Sequence, residues 1–137
     1  ARLALPPGIP EPYAKWLAED VAWISGDDER ARFLALRSDT DRESFIEAFW
    51  RVRDPDPSTP QNKFKDEHYR RIAWSNQRFA GAQPPGWRSD RGRLYIQLGP
   101  PDEIESHPSD GFEIWTWRRV SGTSDGLRIR FEPAREP

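Results

Sequence analysis

The hydrophobic pattern of the chain changes at the stretch Gly86-Trp87-Arg88-Ser89-Asp90-Arg91-Gly92-Arg93. Upstream of it, apolar residues recur at spacings of three and four, the period of an amphipathic helix. Downstream, they alternate with polar residues, the period of a half-buried strand. We therefore expect an α+β fold, in which about four helices within residues 13–81 pack on a small antiparallel sheet of three or four strands within residues 86–133.

The first two helices are expected between Pro12 and the middle thirties. Pro12 suits a first helical position, where its missing N–H costs nothing, and Gly26 is expected to end this helix. Asp27 and Asp28 then place negative charge at the start of a second, short helix. Its expected inward residues are Ala31, Phe33 and Leu34. Residues 1–12 contain four prolines and no period, which predicts an extended leader before a single domain at 13–137.

Two further helices are expected before the change of period. Ser38 resembles an N-cap, and the helix that it begins should stop at Arg53, because the residue before a proline disfavours the α conformation. A turn-rich connector with three prolines follows. The fourth helix is predicted from about Gln61 to Ala80, with Gly81 as its terminating residue. The expected inward residues of these two helices are Phe45, Ile46, Phe49, Trp50, Phe64, His68, Tyr69, Ile72, Asn76 and Phe79.

Three strands are predicted after residue 86, at Arg93–Leu98, Phe112–Arg118 and Leu127–Phe131. Short loops between them favour an antiparallel meander with helices on one side. In the second strand, Trp115 and Trp117 share the face opposite Phe112 and Ile114, so both faces carry aromatic or apolar groups.

The composition favours a folded domain with a charged surface. Only 35% of the residues are hydrophobic and 32% are charged, but 7 Trp and 7 Phe can build a core, since large rings bury about 150–250 Å² each. The 21 basic and 23 acidic side chains leave no basic excess, which argues against nucleic acid as a partner. No apolar run approaches the roughly 18 residues of a transmembrane helix.

The chain has no Cys and no Met. A Cys-based catalyst, disulfide or Cys-ligated metal is excluded. The missing Met leads us to expect a processed product or a piece of a longer protein, from which any signal peptide has already been removed. No phosphate-binding loop, nucleophile elbow or zinc-binding helix motif occurs, and no cofactor is expected.

Four segments, in order, resemble the GWxTD-domain family of bacterial, mostly exported proteins of unassigned activity. They are Tyr13-Ala14-Lys15-Trp16-Leu17 with Glu19-Asp20-Val21; Phe45-Ile46-Glu47-Ala48-Phe49-Trp50 with Arg53-Asp54-Pro55; residues 64–72; and Gly86-Trp87-Arg88-Ser89-Asp90-Arg91-Gly92. Gly99-Pro100-Pro101-Asp102-Glu103-Ile104 fits as well. The Thr of the family is Ser89 here, which keeps the hydroxyl. The resemblance implies an exported, periplasmic or extracellular protein and supplies no catalytic residue. The C-terminal strands alone are similar to small outer-membrane assembly lipoproteins, which are binding modules.

The signature residues Gly86, Trp87, Ser89, Asp90, Arg91 and Gly92 are interpreted first as fold determinants. Ser89 or Asp90 would cap backbone N–H groups, and Arg91 or Arg93 would pair with Asp90. The alternative is a hydrolase-like site formed by Ser89, Asp90, Arg91 and His68. His68 lies on the buried stripe of the fourth helix, where a hydrogen-bonded structural histidine is the default.

The acidic run around His107 is a candidate cation site. Glu103, Glu105, His107 and Asp110 could offer oxygen ligands to a hard cation, but the run lacks the glycine-punctuated spacing of a calcium loop. It is therefore predicted to be a solvated loop, and no metal is expected.

The surplus of tryptophans gives the main functional hypothesis. Trp23 and Trp74 lie off the main helical stripes, and Trp115 and Trp117 lie on a second face of their strand, so these four are candidate binding residues. We expect a non-catalytic protein-interaction or assembly domain whose partners include subunits of an envelope or membrane complex. Glycan binding through exposed Trp is the other alternative.

Overall fold

A computed structural model describes residues 8–79, 85–120 and 126–132. Its helices are α1 (Glu11–Lys15), α2 (Asp27–Leu34), α3 (Asp39–Arg51), α4 (Lys63–Arg78) and α5 (Asp90–Leu98), and its strands are β1 (Glu103–His107), β2 (Phe112–Trp117) and β3 (Leu127–Phe131). The α+β class is confirmed, with helices first and the sheet last. The chain divides into two compact units, residues 1–73 and 74–137. Most of the predicted leader, Gly81 and the loop at 121–125 lie outside the described residues.

The first helix differs from the prediction. It begins at Glu11, continues as a π-helical turn over Trp16–Asp20 and ends at Val21, whose N–H donates to the Trp16 carbonyl at 3.1 Å. Trp16, Leu17 and Ala18, three consecutive residues of this π turn, are all buried. Gly26 does not end this helix; it is the N-cap of α2.

The core of the first unit is a cluster of aromatic rings. Trp16 lies 5.2 Å from Phe33 and 5.1 Å from Phe49, measured between ring centroids. Phe33 is fully buried, whereas Leu34 is largely exposed and Ala31 is exposed, so the prediction that these two face inward is wrong. The phase of α2 is set by Phe33, the larger group to bury.

Caps and turns define α3 and the connector after it. The Ser38 side chain accepts the N–H of Asp41 at 3.1 Å, which confirms the predicted N-cap. After Arg53, the Asp54 and Asp56 carboxylates accept the N–H groups of Asp56 and Ser58. Such local bonds favour turns over helix, and they separate α3 from α4.

The second unit contains the largest departure from the sequence prediction. Residues 93–98, predicted as a strand, form most of α5. Ser89 caps this helix, Gly92, Tyr95 and Ile96 form its buried face, and Gly99, with a φ of 84°, ends it. Residues 103–107, predicted as a solvated loop, form β1 instead.

The sheet is an antiparallel meander in the order β1-β2-β3. Its register places Ile104 beside Trp115 and Trp115 beside Ile129. On this inner face, Trp115, Trp117 and Phe131 pack with Tyr95 of α5 and with Trp74 and Phe79. The predicted three-stranded meander is confirmed, but its first strand is β1 and not residues 93–98.

Candidate functional site

The signature stretch folds into a 3-10 turn, Gly86–Arg88, followed by the first turn of α5. The Ser89 hydroxyl accepts the N–H of Gly92 at 3.0 Å and donates to the Gly86 carbonyl at 2.7 Å. A Ser or Thr at an N-cap satisfies one of the N–H groups that a helix leaves unpaired. The Ser89 hydroxyl is therefore engaged both as a donor and as an acceptor.

Both glycines of the signature are required by close backbone contacts. A Cβ at Gly86 would lie 2.0 Å from the Ser75 carbonyl oxygen, and one at Gly92 would lie 1.9 Å from the Gly86 carbonyl oxygen. The N–H of Trp87 donates to the Asn76 side-chain oxygen at 2.8 Å. The turn is thus seated against the last part of α4, and only glycine permits this approach.

The charged residues of the signature do not pair with each other. Arg91 donates to Glu113 of β2 at 3.1 Å, and its guanidinium lies 4.9 Å from the centre of the Phe131 ring. Arg91 therefore does not make the pair with Asp90 that was predicted for Arg91 or Arg93. Asp90 is exposed in the first turn of α5, where a negative charge is favourable. Arg91 links α5 to the sheet, because its partner Glu113 lies on β2. Glu113 also accepts the indole N–H of Trp115.

His68 lies in the first unit and is 3% exposed. Its Nε2 hydrogen-bonds to the backbone carbonyl of Asp20 at 2.6 Å, and its ring contacts the rings of Trp50 and Tyr69. Burial lowers the pKa of His68, which keeps the ring neutral. The Asp20 carboxylate accepts the Tyr69 hydroxyl at 2.9 Å, and burial beside that carboxylate raises the Tyr69 pKa. This is a structural network that joins α4 to the π turn.

Two of the four candidate tryptophans are buried and the other two are half-buried. Trp115 and Trp117 are 1% and 2% exposed and belong to the core of the second unit. The indole of Trp117 donates to the Gly99 carbonyl at 2.9 Å. Trp74 is half-buried and stacks on Tyr95 at 4.0 Å, and Trp23 is half-buried. The aromatic surface expected at Trp115 and Trp117 is therefore part of the core, because α5 and the end of α4 cover that face of β2.

Residues 103–107, predicted as a solvated loop, form a strand at the edge of the described sheet. All residues of β1 are exposed except His107, which is half-buried. In the part of the chain that the structure describes, β2 is its single neighbour in the sheet. Ile104, on the same face as the buried Trp115, is 50% exposed. An exposed apolar residue on an open strand edge is unusual, because such edges template pairing with other chains.

The acidic groups of β1 accept hydrogen bonds from neighbouring side chains. Glu103 accepts Arg118 at 2.7 Å, and Glu105 accepts the Nε2–H of His107. The hydrogen bond from His107 lowers the pKa of Glu105. Across residues 8–79, 85–120 and 126–132, no group of three or more His, Asp or Glu side chains is arranged to hold a metal ion. None of the helices in these ranges is long and apolar enough to span a membrane.

Two features define a class of α+β domain. One is the signature turn, which packs on α4 and leads through the Ser89 cap into α5; the other is the meander that follows. The chain belongs to the GWxTD domain family, whose model matches residues 11–137. No curated protein and no solved structure matches the chain significantly.

Proposed function

We propose that this domain is a protein-interaction or assembly module, and that an extended segment of a partner protein docks on the edge of β1. The observation that carries this proposal is the exposed apolar Ile104 on β1, a strand whose second edge has no partner strand among the described residues. Adding a strand to such an edge gives affinity through backbone hydrogen bonds and specificity through alternate side chains. The proposed docking surface is therefore the edge of β1 and not the aromatic face of β2 that the sequence predicted.

The structure offers less support for the two alternative functions. A hydrolase using Ser89 and His68 would need a hydroxyl activated by a nearby base. The Ser89 hydroxyl instead bonds to the Gly86 carbonyl and the Gly92 N–H, and His68 is buried against Asp20. Glycan binding would need ring faces open to solvent, whereas Trp115 and Trp117 are buried and Trp74 is stacked.

A crosslinking experiment tests the proposal. A photoreactive amino acid is introduced at Ser106, which is exposed on β1, and at the matched control Ser44, which is exposed on α3. The full-length protein is irradiated in the cells that produce it, and crosslinked peptides are mapped by mass spectrometry. We expect one partner segment to be crosslinked from position 106 and not from position 44. Equal labelling from both positions, or none from 106, would refute the proposal.

We also propose that the partner belongs to an envelope or membrane complex and that the domain acts outside the cytoplasm. The support is the family resemblance, since GWxTD-domain proteins are mostly exported. Fractionation of the producing cells tests the location: recovery of the protein only with cytoplasmic markers would refute it.

A further inference from the structure

The two faces of β1 carry different chemistry. Residues whose side chains point to the inner face are Ile104 and Ser106, since Ile104 is opposite Trp115 in the register. Glu103 and Glu105 are opposite Thr116 and Ile114 and point to the outer face. Because side chains alternate along a strand, a segment that pairs with β1 meets an apolar group on one face and carboxylates on the other.

The edge of β1 has the geometry that strand addition requires. Its five residues pair with β2 in unbroken register, from Glu103 with Thr116 to His107 with Phe112. A bulge would twist the edge away, and a proline would remove a donor, and β1 has neither. Pro108 comes directly after the strand, so the available edge is short and ends at His107.

The inner face of β1 favours an apolar side chain on the partner segment. Ile104 is half-exposed although its neighbour across the sheet, Trp115, is buried, and the next residue across, Ile129, packs against the same core. The apolar layer of the sheet therefore ends at Ile104 with one side uncovered. A partner residue opposite Ile104 would extend that layer by one strand.

The outer face of β1 favours a basic side chain on the partner segment. The carboxylates of Glu103 and Glu105 are 63% and 56% exposed, and the Arg118 that pairs with Glu103 is 67% exposed. Exposed ion pairs of this kind are weak and exchange readily. Residues directly opposite in an antiparallel pair have Cβ atoms about 4.5–5.5 Å apart, so basic side chains of an added strand would lie within reach of both carboxylates.

A second copy of the same edge is a poorer occupant. Antiparallel pairing of β1 with another β1, centred on Glu105, would place the two Glu105 side chains opposite each other. Like charges in directly opposite positions destabilise a strand pair. In this register Glu105 thus disfavours self-pairing. The two exposed carboxylates of β1 likewise disfavour acidic strands and favour basic ones, which is how charge provides specificity at an edge.

We infer that β1 binds an extended partner segment in which basic residues alternate with apolar residues, the basic ones facing Glu103 and Glu105 and an apolar one facing Ile104. This inference rests on the proposed function, because it names the chemistry of the segment that docks there. Its chemical class is a cationic, alternating β-strand peptide.

A peptide titration of the 15N-labelled protein tests the inference. The first peptide alternates lysine with valine; the second has glutamate in place of lysine; the third has the lysine sequence with a central proline. Each is titrated into the millimolar range, and the amide shifts of Glu103–His107 are followed by NMR. We expect the lysine peptide to shift these amides, and we expect neither of the other two to do so at the same concentration.

Two variants examine the two faces separately. Glu103→Gln with Glu105→Gln should weaken binding of the lysine peptide by about tenfold, within a range of about 2- to 30-fold for two exposed cross-strand charge pairs. Ile104→Thr keeps a β-branched residue and should also weaken binding. The matched control, Glu47→Gln with Asp66→Asn, removes the same charge from exposed positions on α3 and α4 and should change nothing.

The outcomes distinguish this inference from the proposed function. Equal binding of the lysine and glutamate peptides would overturn the basic specificity but leave docking on β1 in place. Binding of the proline peptide as tightly as its parent would show charge attraction without strand pairing and overturn the inference. If the free protein dimerises and Ile104→Thr abolishes the dimer, the occupant of the β1 edge is a second copy of the chain. That result would also overturn the inference. If no peptide binds, the inference fails, and crosslinking from Ser106 decides separately whether a partner docks there.

Discussion

Replacing Gly86 with alanine should destabilise the second unit by about 3 kcal/mol. The new Cβ would lie 2.0 Å from the Ser75 carbonyl oxygen and 2.7 Å from the Asn76 Cα, and both neighbours are backbone atoms of α4. Ordinary contact begins at 3.4 Å, so the turn would have to move away by more than 1 Å. Overpacking of this kind costs about 1–3 kcal/mol. The same movement stretches the 2.8 Å bond from Trp87 to Asn76, which adds about 0.5–1.5 kcal/mol.

Urea unfolding followed by tryptophan fluorescence measures this change. A loss of about 3 kcal/mol corresponds to a fall in Tm of about 10–15 °C for a chain of this size. Gly26→Ala is the control, because a Cβ there would meet only Glu29 Oε1 at 3.8 Å. Since alanine is a poorer N-cap than glycine, we expect the control to lose no more than about 1 kcal/mol. A free energy of unfolding for Gly86→Ala within about 0.5 kcal/mol of the parent is what a surface substitution gives. That result would refute the close contact between Gly86 and α4.

Three further predictions concern the cap, the buried histidine and a half-buried ion pair. Ser89→Ala should lose about 1 kcal/mol of stability with faster exchange of the Gly92 amide, whereas Ser89→Thr keeps the hydroxyl and should stay within about 0.5 kcal/mol. Burial lowers the pKa of His68, so below about pH 6.5 the unfolded chain binds more protons than the folded chain. The free energy of unfolding should therefore decrease as the pH is lowered through this range, by at most about 1.4 kcal/mol per pH unit, and less steeply in His68→Gln. Arg53 donates to Glu29 at 2.8 Å and to the carbonyls of Phe49 and Ile24, so Arg53→Lys should lose about 1–3 kcal/mol in urea unfolding.

Each of these predictions has a result that contradicts it. Equal stability of Ser89→Ala and Ser89→Thr would show that the cap contributes nothing. His107→Gln is the control for His68; if it removes the pH dependence and His68→Gln retains it, the assignment to the buried histidine is wrong. Arg32→Lys replaces an exposed arginine paired with Asp28 and should be nearly neutral. If Arg53→Lys lowers the free energy of unfolding no more than Arg32→Lys does, the hydrogen bonds from Arg53 to Glu29, Phe49 and Ile24 are not formed.

The sequence predicted the elements whose signals are local and strong. Ser38 as an N-cap, the connector after Arg53 and the alternation of β2 and β3 all rest on neighbouring residues, and the structure confirms them. The prediction for residues 93–98 was wrong because a short segment with four apolar residues in six fits both the strand period and the helix period. What makes them helical is the Ser89 cap and the seating of Gly92 against Gly86, and the second of these is a tertiary contact.

The candidate site was harder to predict than the fold. The tryptophans that looked like spare surface are core, because α5 covers the face that a strand would have left open. β1 was missed because Glu103, Glu105 and Ser106 have low strand propensity, and its strand form depends on pairing with β2. The alternation of Glu103, Glu105 and His107 with Ile104 and Ser106 was the signal that could have revealed it.

The meander also sets an expectation for the speed of folding. Each strand pairs with its neighbour in sequence, and the widest registered pair, Glu113 with Phe131, is separated by fewer than twenty residues. Closing such short loops has a small entropic cost, and domains built from local contacts fold faster than those that join distant segments. Formation of the sheet should therefore take milliseconds rather than seconds, which limits the time for which the edge of β1 is presented by an incompletely folded chain.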